Sequence, residues 1–266
     1  MRSSAVKAKN TGHKLLVAIL IVAMFALGAV IFFITHAMQK NKDNNLTDAP
    51  NAFIMAASQS ISQAADTSLS LAQRIYEGQI TLADINFEAV FKDCIMLGDS
   101  ITSGLSAYGF LSESIVYCRI GGSVLNSDEM VKKAAEAAPP LAFFSYGTND
   151  LGMFSGDAEL FVERYREIIE KFRAISPKTK IYVNSIPKPS DTKIASGGYF
   201  YKWEEFNSKV QQMCSEIGAE YIDNTEILRE KPQLYAGDGI HVSPSYYPLW
   251  MARMAQAAGL QWLILS

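Results

Sequence analysis

Apolar and polar positions alternate along this chain in two registers, one of short unbroken apolar runs and one of helical spacing. Cys94-Ile95-Met96-Leu97, Ile115 to Ile120, Leu141 to Tyr146, Lys180 to Ile186 and Glu220-Tyr221-Ile222 read as five strands. Between them, Phe161, Tyr165, Ile168 and Phe172 recur at the period of a helix, after Asp157 as its cap. Trp203, Phe206, Val210, Met213 and Ile217 form a second such stripe, which stops at Gly218. A last helix is expected to open with Ser243 as cap and Pro244 in its first turn, and to carry Tyr247, Trp250, Met251 and Met254. Continuous apolar strands alternating with amphipathic helices predict an α/β fold, a parallel sheet covered on both faces.

Upstream the pattern changes. Leu15 to Thr35 is a run of about 21 residues without a charge, long enough to cross a bilayer as a helix. Arg2, Lys7, Lys9 and Lys14 precede it without an acid, whereas Lys40 and Lys42 after it are offset by Asp43 and Asp48. That asymmetry predicts a cytoplasmic tail over residues 1–14, a transmembrane signal anchor over 15–35 and an extracytoplasmic remainder. The run is too long for the apolar region of a cleaved signal peptide, and Thr35-His36-Ala37-Met38 is a poor cleavage site. Residues 36–87 read as a linker followed by an Ala/Ser-rich stretch, with Ile54, Ile61, Ala65, Leu69, Ala72 and Tyr76 at roughly helical spacing, either a stalk or a helix packed on the domain. Asn45-Leu46-Thr47 fits a glycosylation sequon. Residues 88–266 then form the globular domain.

Composition narrows the function classes. The net charge is -3 and unclustered, which gives no footprint for nucleic acid. Three cysteines, Cys94, Cys118 and Cys214, are too few for a disulfide framework and read as buried thiols, although Cys94 and Cys118 could be neighbours in the sheet. No Cys/His spacing suggests a metal. Of three histidines, His13 precedes the apolar run, His36 follows it, and His241 stands alone in the globular region.

Three polar motifs end the first three strands: Gly98-Asp99-Ser100, Gly121-Gly122 and Gly147-Thr148-Asn149-Asp150. In a parallel sheet the ligand crevice lies at that edge. Ser100 can turn its hydroxyl into the crevice or serve as an ordinary helix cap. Asp238 lies three residues before His241, so its carboxylate can accept from Nδ1–H and leave Nε2 to take a serine proton; a surface turn with an incidental histidine has the same sequence. The Asn149 amide can donate to a developing oxyanion or tie up its own turn, and Asp150 is assigned the structural task. The glycine pair lets a backbone N–H approach a ligand or simply makes a turn.

Taken in order, GDS, Gly-Gly, GTND and DGIH resemble the blocks of the SGNH hydrolase superfamily, the GDSL esterases, over about residues 88–260. The resemblance implies a flavodoxin-like three-layer α/β/α sandwich with a five-stranded parallel sheet. It implies Ser100 as nucleophile, Asp238 and His241 as its partners, and an oxyanion hole from Ser100, Gly122 (or Gly121) and Asn149. It requires no cofactor. The first block reads GDSIT rather than GDSL, and no GxSxG elbow surrounds Ser100, which argues against an α/β-hydrolase. The implied activity is ester hydrolysis, on O-acetyl or short acyl groups of cell-envelope glycans given the expected topology. The alternatives are a lysophospholipase or short-chain lipase, a glycan O-acyltransferase, and a non-catalytic binding module. The aromatic segment from Pro187 to Trp203 reads as a substrate or membrane-touching loop, or as an ordinary loop entering a helix.

Overall fold

Each of the five apolar runs is a strand in the computed structural model, which describes residues 71–81 and 85–265. In chain order the elements are α1 (Leu71–Tyr76), α2 (Phe87–Val90), β1 (Cys94–Gly98), α3 (Ser100–Ala107), β2 (Val116–Cys118), α4 (Asp128–Glu136), β3 (Leu141–Ser145), α5 (Asp150–Met153) and α6 (Ala158–Ile175). They continue with β4 (Lys180–Asn184), α7 (Asp191–Ala195), α8 (Trp203–Ile217), β5 (Glu220–Ile222), α9 (Thr225–Glu230), α10 (Tyr247–Ala257) and α11 (Trp262–Leu265). The sheet is parallel throughout, in the order β2-β1-β3-β4-β5. This is the flavodoxin-like order, whose switch point lies where β1 meets β3.

The strand period of two sorts side chains into two cores. Cys94 and Met96 of β1, Phe143 of β3 and Tyr182 of β4 face one layer, with α1, α2, α3 and α10. Ile95 and Leu97, Ala142 and Phe144, and Ile181 and Val183 face the other, with α4, α6 and α8. Both faces of the sheet are therefore covered, which is why the strands read as unbroken apolar runs.

Local signals set the helix ends. Asp157 caps α6 by accepting from the Glu159 and Leu160 N–H groups, both at 3.1 Å. Gly218 ends α8 in the left-handed region at φ 64°. At Ser243 the expectation needs correction: the serine makes no side-chain cap bond, and Pro244–Tyr246 is a 3₁₀ turn that leads into α10. The predicted second strand is also longer than β2, because Arg119 to Gly122 close a turn through a Gly122 N–H to Arg119 carbonyl bond.

The elements described belong to one compact unit. Leu71, Ala72 and Ile75 of α1 are buried in the first core, so this end of the expected stalk packs on the domain. Cys118 lies opposite Gly98 in the β1–β2 register, not opposite Cys94, and all three cysteines are free. The expected membrane span, the sequon and the rest of the stalk lie outside the described residues; among the described residues no helix is long and apolar enough to cross a membrane.

Candidate active site

Four chain segments meet at the carboxyl edge of β1 and β3. The first is the β1–α3 turn. A Cβ on Gly98 would lie 2.0 Å from Thr102 Oγ1 and 2.7 Å from the Ser145 carbonyl, so only glycine fits where strand turns into helix. Asp99 caps α3 by accepting from the Ile101 N–H at 2.9 Å. Ser100 is then the first residue of the helix, and its N–H belongs to the unpaired donors of the first turn. Tyr247 of α10 donates its hydroxyl to the Ile101 carbonyl at 2.9 Å and fixes that turn from behind.

The second segment follows β2. A Cβ on Gly122 would sit 3.0 Å from the Gly98 carbonyl and 3.1 Å from Asp99 Cα, so this glycine lies directly on the GDS turn. Gly121 takes φ 70° in the turn before it, a conformation glycine adopts without strain. The Gly122 N–H, expected to face a ligand, donates to the Arg119 carbonyl at 3.0 Å.

The third segment follows β3. Asn149 precedes α5 without capping it; its Nδ2 donates to the Gly122 carbonyl at 2.9 Å. An amide nitrogen carries two hydrogens, so one fixes the side chain and the other remains to be offered. Asp150 takes the structural role expected of it: fully buried, it accepts from the Ser123 hydroxyl at 2.5 Å and from the Val124 N–H at 3.1 Å. This clasp between the second and third segments includes Ser123, which the motif reading passed over. Its only sequence signal is a hydroxyl directly after the glycine pair.

The fourth segment is the loop from Leu234 to Ser243. It is pinned by Ala236 N–H to His241 carbonyl (2.7 Å) and Ser243 N–H to Leu234 carbonyl (2.8 Å). Gly239, at φ 72°, makes the turn between Asp238 and His241. Asp238 Oδ1 accepts from the Ile240 and His241 N–H groups at 3.0 and 2.9 Å, which leaves Oδ2 for the ring. His241 Nδ1 lies 2.5 Å from Asp238 Oδ2, and Nε2 lies 3.0 Å from Ser100 Oγ. The structure thus brings Ser100, His241 and Asp238 into one hydrogen-bonded line across 141 residues of sequence.

The charges around this line differ with burial. Partial burial raises the Asp238 carboxyl, but the His241 ring and the two backbone N–H groups outweigh it and hold the group down at about 2. Asp99 and Asp150 go the other way. Burial pushes Asp99 up to about 7, against the Ile101 N–H bond, and pushes Asp150 up to about 6, against the Ser123 and Val124 bonds. Among the described residues no cluster of His, Cys, Asp and Glu could hold a metal ion.

Chemically, the line is a serine hydroxyl with a base in reach and a carboxylate behind the base, beside a spare amide donor and a helix N-terminus. Several solved structures resemble the chain in fold at low identity. The lipase/acylhydrolase from Enterococcus faecalis is 17% identical over 61% of this chain and 93% of its own, with a TM-score of 0.49. A GDSL-like lipase from Bacteroides thetaiotaomicron is 15% identical over 63% and 89%, with a TM-score of 0.49. A carbohydrate esterase of family 3 from Talaromyces cellulolyticus is 16% identical over 64% and 97%, with a TM-score of 0.48. No curated protein sequence matches the chain. The profile of the GDSL-like lipase/acylhydrolase family matches residues 96–248, from the middle of β1 to the start of α10, and with more than half of its length so matched the chain belongs to that family.

Proposed function

We propose that the protein is a serine-dependent carboxylic ester hydrolase, with Ser100 as nucleophile, His241 as general base and Asp238 as the group that orients it. The observation that carries this reading is the unbroken line of contacts, 3.0 Å from Ser100 Oγ to Nε2 and 2.5 Å from Nδ1 to Asp238. Ser100 Oγ attacks the ester carbonyl while Nε2 takes its proton. The imidazolium is stabilised by Asp238 and returns the proton to the leaving alcohol. The acyl-serine is then hydrolysed by a water that His241 deprotonates. The carbonyl oxygen gains charge in both steps. Its donors are the Ser100 N–H at the start of α3 and the second hydrogen of the Asn149 amide, with the Gly122 N–H shared from its bond to Arg119.

The reading extends to where the reaction happens and on what. Residues 15–35 act as an uncleaved anchor, the domain lies outside the cytoplasmic membrane, and the substrate is an O-acetyl or short acyl ester on an envelope glycan. The uncharged run and its cationic N-terminal flank support that topology. Protease added to whole cells is expected to remove the domain; a shielded domain overturns the topology and leaves the chemistry standing.

The chemistry is tested with the full chain in mild detergent on p-nitrophenyl acetate, beside Ser100→Ala. The expected result is a measurable rate that the substitution abolishes. Equal rates in the two proteins, or no rate from folded protein on this or on acetylated glycan, overturn the hydrolase.

A further inference from the structure

The segment from Pro187 to Trp203 is not a plain loop. It contains α7, and α7 is packed against the turn that carries Asp238. The Ser190 N–H donates to the Gly239 carbonyl at 2.8 Å. A Cβ on Gly239 would lie 2.1 Å from Ser190 Oγ and 3.3 Å from Lys193 Cβ. On the far side Tyr235 donates its hydroxyl to the Lys188 carbonyl at 2.6 Å. Between α7, α9 and this turn lies an open cleft of about 750 Å³, whose lining includes Lys188, Asp191, Lys193, Arg229, Tyr235 and Asp238. That is the size of a ligand site.

The charges in the cleft do not cancel. Both of its carboxylates are engaged: Asp191 pairs with Lys188 at 2.6 Å, and Asp238 with His241. Lys193 lies 4.9 Å over the Phe200 ring and has no carboxylate within ion-pair distance among the described residues. Arg229 bonds the Thr225 hydroxyl of its own helix, at 3.3 Å, and makes no ion pair of its own among the described residues: Glu226, whose carboxyl it helps to hold down, is paired with Arg253. Two cations thus face a cleft whose wall is the same Asp238 that holds His241.

We propose that this cleft is an anion subsite, and that the substrate is an extended ester carrying a carboxylate or phosphate that Lys193 and Arg229 bind while its acyl group lies at Ser100. The proposal rests on the hydrolase reading for the second half and on the cleft alone for the first. A neutral glycan or an uncharged lipid ester would leave both cations unused.

The test compares kcat/KM of the full chain for three acetyl esters: an acetylated methyl glucoside, the matching acetylated methyl glucuronoside, and acetylglycerol phosphate. Wild type is expected to prefer at least one anionic ester over the neutral one by about tenfold, and Lys193→Gln with Arg229→Gln to remove that preference. Preference for the glucuronoside identifies an acidic glycan, and preference for the phosphate identifies a phosphate-bearing polymer or headgroup. The charge-keeping pair Lys193→Arg and Arg229→Lys is expected to retain the preference, which separates lost charge from lost folding; if the double glutamine variant does not fold, each single variant is read against its charge-keeping counterpart. A preference unchanged by loss of charge, or no preference in wild type, overturns the subsite. If no ester is turned over, calorimetric titration with glucuronate and with inorganic phosphate decides alone: binding lost in the glutamine variants sustains the subsite while the hydrolase falls, and no binding in wild type ends it.

Discussion

At the scale of single residues, the site is built from side chains held by a second bond. Asp238 gives one oxygen to two backbone N–H groups and the other to His241. Asn149 gives one amide hydrogen to Gly122 and keeps one. Such preorganisation predicts different kinetic signatures. Asn149→Ala removes a donor to charge that exists only in the transition state, so kcat should fall by about 10²–10³ with KM little changed. Asp238→Asn keeps the size but reverses a hydrogen bond to Nδ1, which favours the wrong tautomer; a fall in kcat of about 10⁴ is expected from the same steady-state assay. A loss confined to KM in either variant would show that the residue serves binding alone. The Gly122 N–H is the residue-scale surprise. Glycine was legible there from the motif, but the bond to Arg119 depends on how tightly the chain turns after β2, which no residue type encodes.

Elements place these residues, and here the sequence was most readable. Each of the five apolar runs holds a strand, and α6 and α8 followed their 3–4 spacing because each buries one face against the sheet. Short elements were not legible: α5 and α7 have four or five residues and no period to read, and they exist because neighbours hold them. Hence Ser100, Asn149, Asp238 and His241 could be found as motifs, whereas the Ser123–Asp150 clasp and the cleft beside Lys193 could not. Two glycines, one in the β1–α3 turn and one in α5, test this view. Gly98→Ala forces a methyl onto Thr102 and the Ser145 carbonyl and should cost about 1–3 kcal/mol as well as activity. Gly152→Ala in α5 has nothing within 4 Å and should be neutral or stabilise by about 0.5–1 kcal/mol. Urea unfolding of the two variants beside wild type separates them; equal losses would mean that the turn at Gly98 relaxes freely.

For the whole molecule, the buried carboxyls set how stability follows pH. Asp99 is 2% exposed and Asp150 fully buried. Burial raises them to about 7 and about 6, from 3.8. Between about pH 4 and 7 the folded chain therefore holds protons that the unfolded chain has released, so stability falls as pH rises through that window and the loss is complete above it. Asp238 has the opposite sign: held at about 2, it contributes stability above pH 4 that disappears as pH falls toward 2. The domain should accordingly be most stable in mild acid. Asp150→Asn keeps an oxygen to accept from Ser123 and Val124 but cannot ionise. It is expected to lose its own share of the decline between pH 4 and 6, leaving that of Asp99, and to exceed wild type at pH 8 by on the order of 1–2 kcal/mol. Calorimetric Tm values at pH 5 and pH 8 read this directly: the gap between them should narrow in the variant. A gap as wide as that of wild type would assign the pH dependence to other groups and leave Asp150 ionised at low cost inside its clasp.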